Sequence, residues 1–183
     1  PLKNLNAFGD AGFLITNNKD LAESAKLMSN HGLKNRDEVK SFGFVSRLDT
    51  LQAAILNYHL KNLDKVISRR RENALVYIEN LDSSNVYFND FQEEYFDTYH
   101  TFVIQIDRRD ELKEFLESKG IGSSIHYPIP IHLQPASAKF NLKEGSFPIT
   151  ETQAKKILTL PINQYVTENE IKYISDMVNN FFK

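Results

Sequence analysis

The chain has 183 residues, of which 41% are hydrophobic and 25% charged, and its formal net charge is −2. This composition is that of a globular protein, and the small charge provides no basic field for nucleic acid or an anionic membrane. The absence of cysteine excludes disulfides and thiolate metal sites, and we find neither a signal peptide nor an apolar run as long as a membrane span. We therefore expect a soluble, cytoplasmic protein. Because the chain does not begin with Met, we also expect it to be part of a longer gene product.

The beginning of the chain predicts a strand followed by a helix. Residues 11–16 form a short apolar run that is typical of a buried strand. Asn17 and Asn18 then favour a turn and a helix N-cap, and apolar residues at three-four spacing predict a helix over residues 19–30. Gly32 suits the left-handed position that ends such a helix.

The middle of the chain predicts one long helix. Asp49 can cap it, and apolar residues continue at three-four steps to about Leu81, interrupted by a run of arginines at 69–71. A solvated face accounts for the arginines, since their stems can cover apolar surface while the charges stay in water. A helix of this length usually crosses from one structural unit to another.

The last part of the chain predicts a small α/β unit. Its predicted elements are a strand at 99–106, a helix at 108–119, a strand at 121–127, a short helix at 150–158 and a final helix that begins with a capping box of Thr167 and Glu170. We therefore predict three parts: the end of a larger domain over residues 1–47, a connecting helix over 48–81, and a small C-terminal α/β domain over 82–183. One strand and one helix cannot bury both faces of a sheet, so the first part is read as incomplete.

Two stretches carry candidate chemistry. Lys3 lies in a Gly-containing turn before the first predicted strand, where partial desolvation would favour the neutral amine that Schiff-base chemistry needs. Residues 120–135 contain His126 and His132 among several prolines, which stiffen the loop. No carboxylate lies nearby in sequence and the histidine spacing matches no familiar zinc pattern, so we expect no metal site. The two histidines either bind a ligand or satisfy backbone groups of the loop.

Five ordered segments resemble one family over the whole chain. They are Pro1-Leu2-Lys3-Asn4-Leu5-Asn6-Ala7-Phe8-Gly9-Asp10-Ala11-Gly12, then Asn30-His31-Gly32, then Ser46-Arg47-Leu48-Asp49 with Gln52-Ala53-Ala54, then Gly120-Ile121-Gly122 followed by His126-Tyr127-Pro128, and finally Leu160-Pro161. Together they are similar to the DegT/DnrJ/StrS sugar aminotransferases, which are pyridoxal phosphate enzymes. The resemblance implies an α/β fold of the aspartate aminotransferase type (PLP fold type I), of which this chain is the end of the large domain plus the small C-terminal domain.

The resemblance also implies an activity and a set of site residues. Family members move an amino group from glutamate to a nucleotide-linked keto-sugar, for cell-surface polysaccharide or deoxyamino-sugar biosynthesis, and they work as homodimers. The matching lysine, Lys3, would bind pyridoxal 5′-phosphate covalently and move the proton at the substrate carbon. His126 and Tyr127 resemble residues that face the sugar, and Arg47 and His31 lie in segments that reach the active site.

Two departures from the family pattern keep alternatives open. Val45 stands where the family usually has an Asn that reaches across the dimer to the cofactor phosphate. The family's phosphate cradle and the acid that pairs with the pyridine nitrogen would precede Lys3, so we expect the 183-residue chain alone to be inactive. One alternative is a truncated or degenerate homologue that folds or dimerises without the cofactor. Another is dehydration or isomerisation of a nucleotide sugar, which Lys3 argues against because dehydrating members carry histidine there.

Overall fold

The computed structural model describes residues 3–89 and 94–183, so Pro1 and Leu2 of the lysine segment lie outside the described residues. The chain divides into two compact units, Pro1–Leu63 and Asp64–Lys183. None of the helices in the described ranges is long and apolar enough to cross a membrane.

The first unit contains two helices, α1 (Lys19–Met28) and α2 (Thr50–Leu60). Helix α1 begins as predicted, because the Asn18 side chain accepts a hydrogen bond of 3.1 Å from the Leu21 N–H group. Gly32 follows with a φ of +73°, which confirms the predicted left-handed position.

The predicted buried strand at residues 11–16 is wrong. This segment forms no strand, and its Phe13 and Ile15 side chains are 86% and 85% exposed. A strand is defined by its hydrogen-bonded neighbour, and no strand in the described part of the chain pairs with these residues. The apolar side chains of this segment therefore form an exposed surface against which further polypeptide can pack.

The predicted helix from Asp49 to about Leu81 is also wrong as a single element. It is broken between α2 and α3 (Leu63–Asn80), and the division into two units falls at this break instead of at residues 47 and 81. Asn62 explains the break: its backbone N–H bonds the His59 carbonyl in a tight turn, and its side-chain amide reaches the Tyr58 carbonyl. Asparagine side chains compete in this way with helical hydrogen bonds.

The second unit is built on a two-stranded antiparallel sheet. In addition to α3 it contains β1 (Phe102–Gln105), α4 (Arg109–Ser118), short 3-10 helices at Ile131–Leu133 and Pro135–Phe140, α5 (Pro148–Lys156), β2 (Ile157–Leu160) and α6 (Glu168–Asn180). The register places Phe102 opposite Leu160 and Gln105 opposite Ile157. Burial alternates along β1, which lies within the strand predicted at 99–106, and the capping box of α6 is as predicted.

The pairing of the sheet differs from the prediction. The expected strand at 121–127 is wrong: it is reduced to one bridge between Ser124 and Thr159. The partner of β1 is β2, which begins with Ile157 and Leu158, so the helix predicted over 150–158 ends two residues too late. Leu158 is fully buried in the sheet, so tertiary burial decides the conformation of this short apolar run.

Helices α3, α4 and α6 share one hydrophobic core with the sheet. The Tyr77 ring of α3 stacks on Phe102 of β1 with 4.6 Å between the ring centroids. The core residues that are fully buried include Ala74, Tyr77, Ile104, Leu112, Leu116, Leu158, Ile171 and Val178. Polar groups of α3 extend this packing, since the buried Asn73 amide donates to the carbonyls of Asn163 and Val166 at 2.8 and 3.0 Å.

Candidate functional site

The turn that follows Lys3 is anchored to helix α2 by side chains of that helix. The Phe8 N–H donates to Gln52 Oε1 at 2.9 Å, and Gln52 Nε2 donates back to the Phe8 carbonyl. About two helix turns further along α2, His59 Nδ1 lies 2.9 Å from the Leu5 carbonyl oxygen. The glutamine thus pairs with the backbone as a neighbouring strand would, and the backbone after Lys3 is fixed at two points.

The Lys3 side chain itself is exposed. The partial burial expected from the sequence is therefore wrong for the part of the chain that the structure describes. Lys3 stands beside an anchored turn with no covering element of this unit over it, which leaves its amine open to a small molecule. Lys3 supplies a primary amine beside a backbone that is held in place, and a primary amine is the group to which pyridoxal phosphate attaches covalently, so the residue is chemically compatible with that cofactor.

His31 and Arg47 lie on two chain segments that pair with each other. Isolated bridges join Asn30 to Val45 and Leu33 to Val39, and the His31 N–H donates to the Phe44 carbonyl at 2.9 Å. Arg47 then reaches back to the Asn30 side chain, with 3.5 Å between Nη1 and Oδ1. Both His31 and Arg47 are exposed, so their ring and guanidinium remain open to a ligand.

Close approach of the two segments depends on glycine. A Cβ atom on Gly32 would collide with the Ser41 carbonyl, and one on Gly43 would lie 2.6 Å from the Gly32 nitrogen. Gly32 also has a positive φ that other residues rarely adopt. Gly32 and Gly43 are thus structural requirements of this crossing, beside the candidate binding residue His31.

Val45 lies on the same pairing and is 63% exposed. Its isopropyl group has no hydrogen-bond donor, so the side chain offers nothing to a phosphate oxygen. Val45 and Arg47 also line an open groove of about 1290 Å³ in the first unit, together with residues 10–17 and part of α1. The groove is where the exposed apolar run at 13–15 lies.

His126 and Tyr127 belong to the second unit, directly after the Ser124 bridge to β2. The His126 Nδ1 atom lies 2.9 Å from Thr159 Oγ1, and the Tyr127 ring meets the His126 ring edge-on with 5.4 Å between centroids. Tyr127 is 73% exposed. The pair therefore presents one oriented imidazole and one free phenol at the surface of this unit.

His132 has a structural role that the sequence did not distinguish from binding. Its Nε2 atom lies 2.8 Å from Glu151 Oε1, and both side chains are buried. The Gly145 and Phe147 N–H groups also donate to the Glu151 carboxylate and, with His132, hold the pKa of Glu151 below its usual value. The loop after the histidines is thus fastened to the start of α5.

No group of three His, Cys, Asp or Glu side chains suited to a metal occurs within the described ranges.

The sequence predicts the exposed candidate site residues but does not predict the residues that hold their side chains or backbone in place. Gln52 stands in a recognisable motif, whereas no sequence pattern marks His59, Thr159 or Glu151. Each of these four residues contacts a partner that is distant in sequence. The only signal in the sequence is the face of the helix or strand on which the residue lies.

Comparison with known proteins gives one consistent result. The model of the DegT/DnrJ/EryC1/StrS aminotransferase family matches residues 1–179. A protein of Geobacillus stearothermophilus named pleiotropic regulatory protein is 37% identical over 100% of this chain and 50% of its own length. A dTDP-3-amino-3,4,6-trideoxy-alpha-D-glucose transaminase of Streptomyces venezuelae is 34% identical over 99% of this chain and 48% of its own length.

A solved structure agrees with the sequence matches. The crystal structure of Streptomyces venezuelae DesV in complex with a ketimine intermediate superposes with a TM-score of 0.90 and 34% identity, covering 97% of this chain and 48% of that one. The chain therefore spans about half the length of the curated relatives it matches.

Proposed function

Because the chain belongs to the DegT/DnrJ/EryC1/StrS aminotransferase family, we propose that it is part of a pyridoxal phosphate-dependent enzyme that transfers an amino group from glutamate to a nucleotide-linked keto-sugar. Its fold is the aspartate aminotransferase-like fold of PLP fold type I, as the sequence predicted. The observation that carries the proposal is the family match over residues 1–179, which includes an accessible lysine at position 3. The enzyme is proposed to act as a cytoplasmic homodimer.

Lys3 is assigned the covalent and proton-moving role. Pyridoxal phosphate, when bound, supplies an electron sink for the carbon that exchanges its amino group. The Lys3 Nζ atom would hold the cofactor between turnovers and would take and return the proton at the substrate carbon. The Gln52 and His59 contacts to the backbone after Lys3 support this role, since proton transfer requires a base that stays within hydrogen-bond reach of the carbon.

The other four residues are assigned to the substrate. Arg47 carries a guanidinium suited to the diphosphate of a nucleotide sugar or to the carboxylate of glutamate, and His31 lies on the segment that pairs with the Arg47 segment. His126 and Tyr127 can each exchange hydrogen bonds with sugar hydroxyls or the keto oxygen. Relatives named as transaminases of dTDP- and UDP-linked sugars support this substrate class.

Amino transfer can be tested directly with the full-length protein that contains this chain. The protein, pyridoxal phosphate, glutamate and a panel of dTDP- and UDP-linked keto-sugars are incubated, and mass spectrometry follows nitrogen from ¹⁵N-glutamate into the sugar. We expect labelled amino-sugar with the wild type and none with Lys3→Ala. Loss of water from the sugar without incorporation of nitrogen would instead support the dehydratase alternative, and no cofactor-dependent reaction at all would support the non-catalytic one.

A further inference from the structure

We propose that Thr159 is a positioning residue that holds the His126 imidazole so that its Nε2 atom is presented to the sugar substrate. The proposal rests on the proposed function for its ligand. Its structural part rests on the contact of 2.9 Å between Thr159 Oγ1 and His126 Nδ1. That contact joins a surface histidine to a residue of β2 that is only 9% exposed.

The position of the Thr159 hydroxyl is fixed by pairing on both sides of its strand. On one side Thr159 stands opposite Val103 of β1. On the other side it exchanges two backbone hydrogen bonds with Ser124, of 2.7 and 3.2 Å. Because a β-branched side chain on a paired strand has few χ1 rotamers available, Oγ1 has little freedom to move.

The position of His126 follows from the same register. His126 comes two residues after Ser124, so it is a diagonal neighbour of Thr159 across the bridge, and side chains at such positions are within reach of each other. The edge-on Tyr127 ring limits rotation of the imidazole from another direction. The imidazole is therefore held by one hydrogen bond and one ring contact although it lies at the surface.

Occupation of Nδ1 determines which ring atom is free for substrate. With Nδ1 bonded to the hydroxyl, Nε2 on the opposite edge of the ring remains available. A hydroxyl can donate to a bare Nδ1 or accept from a protonated one. Thr159 therefore keeps His126 in place in either neutral tautomer, so Nε2 can donate to a sugar oxygen or accept from a sugar hydroxyl without reorientation.

The test compares Thr159→Val, which removes the hydroxyl and keeps the shape, with Thr159→Ser, which keeps the hydroxyl. Thr152→Val is the matched control, since Thr152 is exposed on α5 and bonds only its own helix, at the Pro148 carbonyl. We expect the ¹⁵N chemical shifts of the His126 ring nitrogens to change in Thr159→Val. In Thr159→Ser and Thr152→Val they should stay near the wild-type values. Unchanged His126 signals in Thr159→Val would overturn the proposal.

The kinetic arm uses the full-length enzyme. We expect Thr159→Val to raise KM for the nucleotide keto-sugar about tenfold, the loss typical of one hydrogen bond, while the reaction of the cofactor with glutamate alone keeps its rate. A shifted ring signal with an unchanged KM would also overturn the proposal, because the contact would then not serve the substrate. A wild-type enzyme that transfers no nitrogen would refute the proposed function instead, and the ring signals would still decide whether Thr159 orients His126.

Discussion

Replacement of Gln52 by Leu should loosen the turn that follows Lys3. The variant removes both hydrogen bonds between the Gln52 amide and the Phe8 backbone. A hydrogen bond contributes a net 0.5–1.5 kcal/mol, so two contribute about 1–3 kcal/mol. The Phe8 side of this contact is exposed, which favours the lower half of that range. Since each 1.4 kcal/mol is a factor of ten, local opening of the turn should become about tenfold more frequent.

Amide hydrogen exchange at Phe8 measures this opening directly, because the Phe8 N–H is one of the donors in the contact. We expect its exchange in the 183-residue chain to accelerate about tenfold in Gln52→Leu. Gln52→Glu keeps the acceptor for the Phe8 N–H but places a second carboxylate oxygen against the Phe8 carbonyl oxygen, and these two oxygens repel each other. The Phe8 amide should therefore also exchange faster in this variant than in the wild type.

Gln153→Leu is the matched control, since Gln153 is an exposed glutamine of α5 in the second unit. It should leave Phe8 exchange unchanged. Equal protection of the Phe8 amide in wild type and Gln52→Leu would refute the claim that α2 anchors this turn, and with it the physical argument for a fixed backbone beside Lys3.

Three further substitutions test other parts of the account. Asn73→Asp exchanges a buried donor to two carbonyls for a buried negative acceptor, and should lower the free energy of unfolding in urea by about 3 kcal/mol. Asn180→Asp, at an exposed position where the side-chain oxygen accepts from Lys183 Nζ, should cost less than about 1 kcal/mol, and equal losses would contradict this. Val45→Asn in the full-length protein should tighten pyridoxal phosphate binding about tenfold or more, as expected for a hydrogen bond to a charged group, and an unchanged affinity would argue against a phosphate contact at this position. Because the pKa of Glu151 is lowered in the folded chain, its contribution to stability is present above its ordinary pKa of 4.5 and is lost as the pH falls below it. In Glu151→Gln, the free energy of unfolding should therefore depend less on pH in the acid range than it does in the wild type. Glu144→Gln, on the exposed loop before α5, should leave this pH dependence unchanged.

Local signals in the sequence predicted the elements that are stabilised locally. The start of α1 and the capping box of α6 depend on residues within one helix turn, and both are as expected. The run at 11–16 and the strand β2 have similar apolar patterns, yet only β2 forms a strand. The difference is a pairing partner, β1, which lies far away in sequence and which no local pattern could assign.

The candidate site was likewise predictable only where its residues stand in local sequence motifs. Lys3, His31, Arg47, His126 and Tyr127 stand in motifs that can be recognised by their order along the chain. Their supporting residues cannot be recognised in this way, because a glutamine on a helix or a threonine on a strand is an ordinary residue until its partner is known. The roles of the five motif residues themselves stay predictions.

The most direct test of the account is to locate the covalent attachment of the cofactor. The full-length protein is incubated with pyridoxal phosphate, reduced with borohydride, digested and mapped by mass spectrometry, with Lys3→Arg as the control that keeps the positive charge. The account predicts one phosphopyridoxyl group on Lys3 in the wild type and none at this position in the variant. Attachment to a different lysine, or no attachment under conditions in which the protein is folded, would contradict it.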